Sequence, residues 1–208
     1  MIPTKVLAAR SLANAAPSLC AGLGVPKGYP SLGMITADSD DPTYIALDEA
    51  TKTADVAVAY TRSFYAGAAN ASTPHAGEVM GILAAPNPGA LRSGMEAVLA
   101  ALERVGFVDV GGPCLAHTVS SCGSFLAKEA GVKEGEALAY LIAPPLESMY
   151  ALDAALKAAD VKICKLYSPP TETNFGGGLL TGTQSACAAA AAAFRNAVAE
   201  VAGKPIVL

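Results

Sequence analysis

The stretch Tyr44-Ile-Ala-Leu-Asp-Glu-Ala-Thr-Lys-Thr-Ala-Asp-Val56 returns in the second half of the chain as Met149-Tyr-Ala-Leu-Asp-Ala-Ala-Leu-Lys-Ala-Ala-Asp-Val161. Eight of these thirteen aligned positions are identical, and the offset of 105 is about half of the 208 residues. A repeat at this spacing predicts two copies of one domain joined in tandem, and so a pseudo-symmetric building block.

The flanking sequence shows one order of patterns in both halves: strand, helix, strand, helix, strand, loop, strand, helix. Such alternation predicts an α/β (α+β) fold. Gly111-Gly112-Pro113 interrupts any regular element, so we place the two domains at residues 1–108 and 109–208. In the first copy we expect strands at Val6–Ala9, Ser31–Ala37, Val56–Tyr60 and Val79–Ala84, and helices at Ser11–Val25, 44–56 and Pro88–Glu103.

The composition limits the classes of partner. Only 15 % of residues are charged and the mean hydropathy is +0.40, which favours burial of much surface against other subunits. A net charge of −4 argues against nucleic acid. No apolar run is long enough to span a membrane.

The five cysteines lack the spacing of a metal site or disulfide framework, so we expect reduced thiols in the cytoplasm, with no metal and no cofactor.

The acidic stretch Asp38-Ser39-Asp40-Asp41 precedes the first repeated helix. Asp41 before Pro42 is typical of an N-cap followed by a proline. Capping accounts for one or two acids, because a helix N-terminus favours negative charge. Three acids in four residues also allow a site for a small cation, toward which Glu78 could converge.

The repeated helices carry Asp48 and Lys52, and Asp153 and Lys157, at a spacing of four residues. This spacing predicts surface ion pairs worth a few tenths of a kcal/mol. Because the pairs recur at equivalent places, the lysines are also candidates for contacts with a neighbouring subunit.

Two polar, glycine-rich loops, Thr61–Gly77 and Ser168–Gly177, lie at corresponding places in the copies. Long loops of this kind are either ordinary surface connections or functional. Rotational symmetry would gather them around one axis.

The sequence predicts no catalytic residues. Neither His75 nor His117 lies beside a nucleophile motif. Cys122 could open a helix, where a thiolate is stabilised, but a packed thiol is the simpler interpretation.

Several longer strings identify a family. Ser31-Leu-Gly-Met-Ile-Thr-Ala-Asp-Ser-Asp-Asp41, Arg62-Ser-Phe-Tyr-Ala-Gly67 and Pro169-Pro-Thr-Glu-Thr-Asn-Phe175, with the repeated helix, resemble the tandem-domain, trimeric shell proteins of bacterial microcompartments, of the ethanolamine-utilisation type. The resemblance implies two circularly permuted shell domains, each a small antiparallel sheet flanked by helices. It also implies homotrimers that form pseudohexameric tiles and pack with other shell proteins around enzymes.

The resemblance also assigns roles to residues. Lys52 and Lys157 match lysines at tile edges, and Asp40, Asp41 and Glu78 match acids of a small pore where an amino alcohol binds in relatives. Other matching residues lie in loops near a central pore that can open or close: Tyr65, Ala66, Gly67, Thr171, Glu172, Thr173, Asn174 and Phe175.

The expected function is therefore a structural, non-enzymatic tile of a cytoplasmic microcompartment shell whose pores pass small metabolites. One alternative is an amine-binding sensor module that gates the pore. A less favoured alternative is a small enzyme that uses Cys122 or His117.

Overall fold

Seven elements occur twice in the same order in the computed structural model, which describes residues 1–64, 78–169, 171 and 174–207. The first set is β1 (Val6–Leu12), α1 (Pro17–Gly22), β2 (Ser31–Ala37), α2 (Asp40–Thr53), β3 (Ala57–Ser63), β4 (Val79–Ala85) and α3 (Pro88–Leu102). The second set, after the two-residue strand β5 (Val108–Asp109), is β6 (Pro113–Val119), α4 (Ser124–Ala130), β7 (Ala137–Ala143), α5 (Pro145–Ala158), β8 (Val161–Tyr167), β9 (Gly176–Gly182) and α6 (Gln184–Gly203).

The chain forms two compact units. The first unit contains residues 3–105 and 123–126, and the second contains residues 1–2, 106–122 and the chain from 127 onward. The sheet of the first unit has the strand order β1-β2-β4-β3, and that of the second has the order β5-β6-β7-β9-β8. All the neighbouring strands described are antiparallel. The predicted fold class, two antiparallel sheets flanked by helices, is confirmed.

The core of the first unit lies between its sheet and the helices α2 and α3. Ile35 of β2, Leu47 of α2 and Val98 of α3 are almost completely buried there. Alternate residues of β2 point to opposite faces, so Leu32 faces away from these helices. Leu32 packs instead with Ala15 and the segment that follows β1.

The core of the second unit is built in the same way on β7, β9, α5 and α6. Leu141, Leu152, Leu180 and Phe194 are its buried centre. All seven residues of β7 are buried, in keeping with its continuous apolar sequence.

Three local predictions need correction. The segment from Ser11 to Val25 is not one helix, because β1 continues to Leu12, which pairs with Leu32. The helix α1 begins only at Pro17, a residue that favours the first helical position. The N-cap of α2 is Ser39 rather than Asp41, and the helix already includes Asp40.

The third correction concerns the glycine-rich end of the second loop. Gly176 and Gly177 belong to β9, where Gly177 pairs with Ile142. Gly177 has a φ of +152°, and a Cβ atom there would lie 1.8 Å from the carbonyl oxygen of Leu141. The glycine therefore permits a close approach of two strands.

Candidate functional site

Asp40 lies at the start of α2 and is held by groups of its own unit. One of its carboxylate oxygens accepts the backbone N–H of Asp41 at 2.9 Å, and the other accepts the hydroxyl of Ser63 at the end of β3. Asp40 is 8 % exposed. Its carboxylate is thus fixed both by the positive end of the helix and by a hydroxyl donor.

Glu78 stands next to β4 and shares its surroundings with two of the predicted acids. Burial raises the pKa of the Glu78 carboxyl, and the nearby charges of Asp40 and Asp38 raise this pKa further. Asp38 accepts the backbone N–H of Lys5 at 2.7 Å. The charges of Asp38 and Asp40 therefore act on Glu78, and we call these three residues the acidic cluster.

Asp41 is also buried, with 7 % of its surface exposed. Its backbone N–H donates to Asp40. Its location in the first turn of α2 agrees with the preference of helix N-termini for acids.

The three positions of the second unit that align with the acidic cluster carry no acid. The repeat aligns Asp38, Asp40 and Glu78 with Pro144, Pro145 and Phe175. The ring of Phe175 packs against that of Phe107, with their centroids 5.7 Å apart. The three aligned positions therefore carry acids in the first copy and apolar residues in the second.

The predicted central-pore residues are only partly within the described chain. Tyr65, Ala66, Gly67, Glu172 and Thr173 lie outside the described residues.

The remaining three of these residues, Thr171, Asn174 and Phe175, precede β9 and are joined by backbone hydrogen bonds. Thr171 donates its N–H to the carbonyl of Phe175 at 3.2 Å, and Asn174 donates its N–H to the carbonyl of Thr171 at 3.1 Å. Asn174 has a φ of +64°, a conformation that asparagine tolerates better than most residues.

The two lysines differ in their surroundings. The ion pair of Lys157 with Asp153, at 2.6 Å, forms as predicted on an exposed helix face. Lys52 instead forms an ion pair with Glu49, and 23 % of its side chain is exposed, against 75 % for Lys157.

Asp48 is the residue whose role the sequence did not reveal. Its side chain is completely buried rather than at the surface. Its two carboxylate oxygens accept the backbone N–H groups of Gly123 at 2.7 Å and Leu126 at 2.8 Å. Beside it, the hydroxyl oxygen of Thr51 accepts the N–H of Ser124 at 3.1 Å. Burial raises the pKa of the Asp48 carboxyl, and the two N–H donors act against this rise.

Cys122, the thiol considered for catalysis, is packed. Cys122 is 2 % exposed and its thiol donates to the carbonyl of Lys133 at 3.4 Å. Burial raises the pKa of Cys114 to about 11, which keeps this thiol protonated at neutral pH.

Within the described ranges, the His, Cys, Asp and Glu side chains form no group of three that could hold a metal ion. Among the helices of the described part of the chain, none has the length and apolar character needed to span a membrane.

The family profile described as "BMC domain" matches residues 31–119. The match begins at β2 and ends with β6, the counterpart of β1 in the second copy. The family's order of elements is therefore rotated by one strand relative to the repeat, as expected for a circular permutation.

Known proteins match the chain over its whole length. The bacterial microcompartment shell protein EutL of Clostridium perfringens is 56 % identical over 99 % of this chain and 97 % of that protein. The structure of ethanolamine utilization protein EutL from Leptotrichia buccalis superposes with a TM-score of 0.96 at 53 % identity, covering 100 % of this chain and 98 % of that chain. EtuB from Clostridium kluyveri shares the fold at 23 % identity, with a TM-score of 0.79 and coverage of 93 % and 86 %.

The duplicated fold and these matches define a tandem-domain shell protein of bacterial microcompartments. Within that class, the chain belongs to the EutL family. Its role is structural: it is a component of the shell that associates with other shell proteins.

Proposed function

We propose that three copies of this chain form a pseudohexameric tile and that the tile passes small metabolites through pores in the shell. The chain contains two copies of one set of elements, which we assign to domains at residues 1–108 and 109–208, so three chains would supply the six domains of such a tile. The Leptotrichia buccalis relative is an ethanolamine utilization protein, so the favoured metabolite is a small cationic amino alcohol. On this proposal the tile makes and breaks no bonds, and the packed thiol of Cys122 agrees with that view.

The observation that carries the pore proposal is the difference between the aligned places in the two copies. The acidic cluster and Asp41 occupy the first, while prolines and an aromatic ring occupy the second. Each copy of the chain would therefore contribute one small pore with negative charge. Converging carboxylates suit an ammonium group by charge and by hydrogen bonding, and they slow the passage of anions.

The loops are proposed to line the central pore, which would be gated if they had two conformations of similar free energy. The sensor alternative uses the same acids, with amine binding coupled to the loops. Ser63 at the end of β3 donates to Asp40, and β3 leads into the first of these loops. This connection between Asp40 and the loop is the observation that supports the sensor alternative.

Calorimetric titration with ethanolamine tests the small-pore proposal. We expect saturable binding to the wild type at near-neutral pH. We expect a loss of at least tenfold in affinity for Asp40→Asn with Glu78→Gln, because two carboxylates are removed. A matched control, Asp160→Asn, changes an exposed acid far along the sequence and should leave binding unchanged. Equal affinity in all three proteins, or no binding to the wild type, would refute the amine site.

A further inference from the structure

Residues 123–126 bury Asp48 of α2. In the repeat, the residues that align with these two surfaces are exposed. The segment 123–126 covers α2, and the repeat aligns this segment with residues 16–19. Matched left-handed glycines fix the alignment: Gly24 and Gly131 have φ values of +65° and +67°, and Gly28 and Gly135 both have +88°. The helix α2 itself aligns with α5 at an offset of 105.

The face of α5 that aligns with the covered face of α2 is exposed. Leu146, Tyr150 and Asp153 follow one another at helical spacing, so they lie on one stripe. Leu146 is 63 % exposed, Tyr150 is 49 % exposed, and the side chain of Asp153 is 64 % exposed.

The aligned residues of α2 are Asp41, Ile45 and Asp48. They are 7 %, 3 % and 0 % exposed, respectively.

The segment that would cover this stripe is also exposed. Leu19 is 43 % exposed, whereas the aligned Leu126 is 1 % exposed. Residues 16–18 are exposed as well. One chain therefore exposes two surfaces, the stripe of α5 and residues 16–19. The aligned surfaces, on α2 and at residues 123–126, are packed against each other.

The chemistry of the two open halves matches. In the closed contact, Ser124 donates its N–H to the hydroxyl of Thr51. At the aligned places the donor is replaced by Pro17, which has no N–H, and the acceptor is replaced by the apolar Leu156. The loss of the donor and the loss of the acceptor coincide, so neither side would leave an unsatisfied polar group.

We infer that the stripe of α5 is an interface for a second copy of this chain and that residues 16–19 of that copy cover it. Asp153 takes the place of Asp48 and faces the main chain of the partner's segment. The contact joins different surfaces of the two copies, which is the type of interface that closes a ring. The inference rests on the proposed trimer and adds the residues that join its subunits.

Photo-crosslinking tests this inference on the full chain. Ser18 and Phe125 are aligned, and the ring of Phe125 lies 6.1 Å from that of Tyr44 on α2. Each residue is replaced in turn by p-benzoylphenylalanine. At position 125 we expect crosslinks to α2 within one chain. At position 18 we expect covalent dimers whose crosslinked peptide comes from α5. Crosslinks from position 18 to any other element, or none in an intact oligomer, would overturn the inference.

A pair of matched leucines gives a second measurement. Leu19→Asp places a charge in the proposed interface, whereas Leu99→Asp changes a leucine of similar exposure, 42 %, on α3. By native mass spectrometry, Leu19→Asp should raise the concentration of half-dissociation by about tenfold or more, and Leu99→Asp should not. Equal effects of the two variants, or none, would overturn the inference while the trimer stands. A monomeric wild type would instead refute the proposed function.

Discussion

The carboxylate of Asp48 accepts the backbone N–H of Leu126 at 2.8 Å, across 78 positions of sequence. This bond and its companion to Gly123 satisfy two main-chain donors in a buried place. Asp48→Ala removes both acceptors at once. We expect a loss of about 2–4 kcal/mol in the free energy of unfolding, because two N–H groups become unpaired. Urea unfolding measures this loss.

The control for Asp48 is Asp160→Ala. Asp160 is exposed, and the loss of a surface carboxylate should change the free energy of unfolding by about 0.5 kcal/mol or less. If Asp48→Ala destabilised the protein no more than this control, the structural role of Asp48 would be wrong.

Gly177 provides a prediction about backbone geometry. Gly177→Ala would place a Cβ atom 1.8 Å from the oxygen of Leu141 at a φ of +152°. We expect the free energy of unfolding to fall by roughly 3 kcal/mol or more, because β7 and β9 must separate. Thermal unfolding experiments measure this loss. Gly203→Ala is the control, since a Cβ atom there meets nothing within 4 Å. Similar melting temperatures for both variants would contradict the described approach of the strands.

The acidic cluster predicts a dependence of stability on pH. The pKa of Glu78 is raised above its ordinary value of 4.5 in the folded protein. Its contribution to stability is therefore fully present below the ordinary pKa and is lost as the pH rises through the folded pKa. Glu78→Gln removes this titration. As the pH rises from about 4 to about 8, the melting temperature of the variant should rise relative to that of the wild type.

Glu96→Gln is the control for this titration, because Glu96 lies on an exposed face of α3. Its melting temperature should follow that of the wild type at every pH. A difference between wild type and Glu78→Gln that did not change with pH would show that the pKa of Glu78 is not raised in the folded protein.

The lysines predict a separation between trimer formation and sheet formation. Lys157 is the more exposed of the two, with 75 % of its side chain accessible. Lys52→Asp should leave trimers intact and impair two-dimensional sheets in electron micrographs, because repulsion replaces an edge contact. Lys157→Asp should also impair sheets, and it should weaken the trimer as well, because Lys157 pairs with Asp153 of the inferred subunit interface. Lys27→Asp, which changes an exposed lysine of the turn before β2, should still form sheets. Normal sheets from the first two variants would refute the edge role.

The sequence was sufficient for the features that depend on local pattern. The strand Ser31–Ala37 was predicted with its correct bounds. The repeated helix was also predicted, although it spans Asp40–Thr53 rather than 44–56. Apolar periodicity and proline at a helix start are local signals. The ion pair of Asp153 and Lys157 also formed as predicted, because both partners lie on one helix.

The features that the sequence did not reveal depend on contacts between distant residues. Leu12 joins a strand because Leu32 is there to pair with it. Asp48 looks like a surface residue in its own helix and is buried because residues 123–126 cover it. The approach of Asp38 and Asp40 to Glu78 was raised only as a possibility, since about forty positions separate them. A pattern of one helix carries no information about such neighbours.

Class averages from cryo-electron microscopy of the purified chain test the central claim most directly. The account predicts a three-fold symmetric particle with six similar lobes, because each of three chains contributes two copies of one fold. Particles of a single chain, or two-fold symmetric pairs, would contradict it.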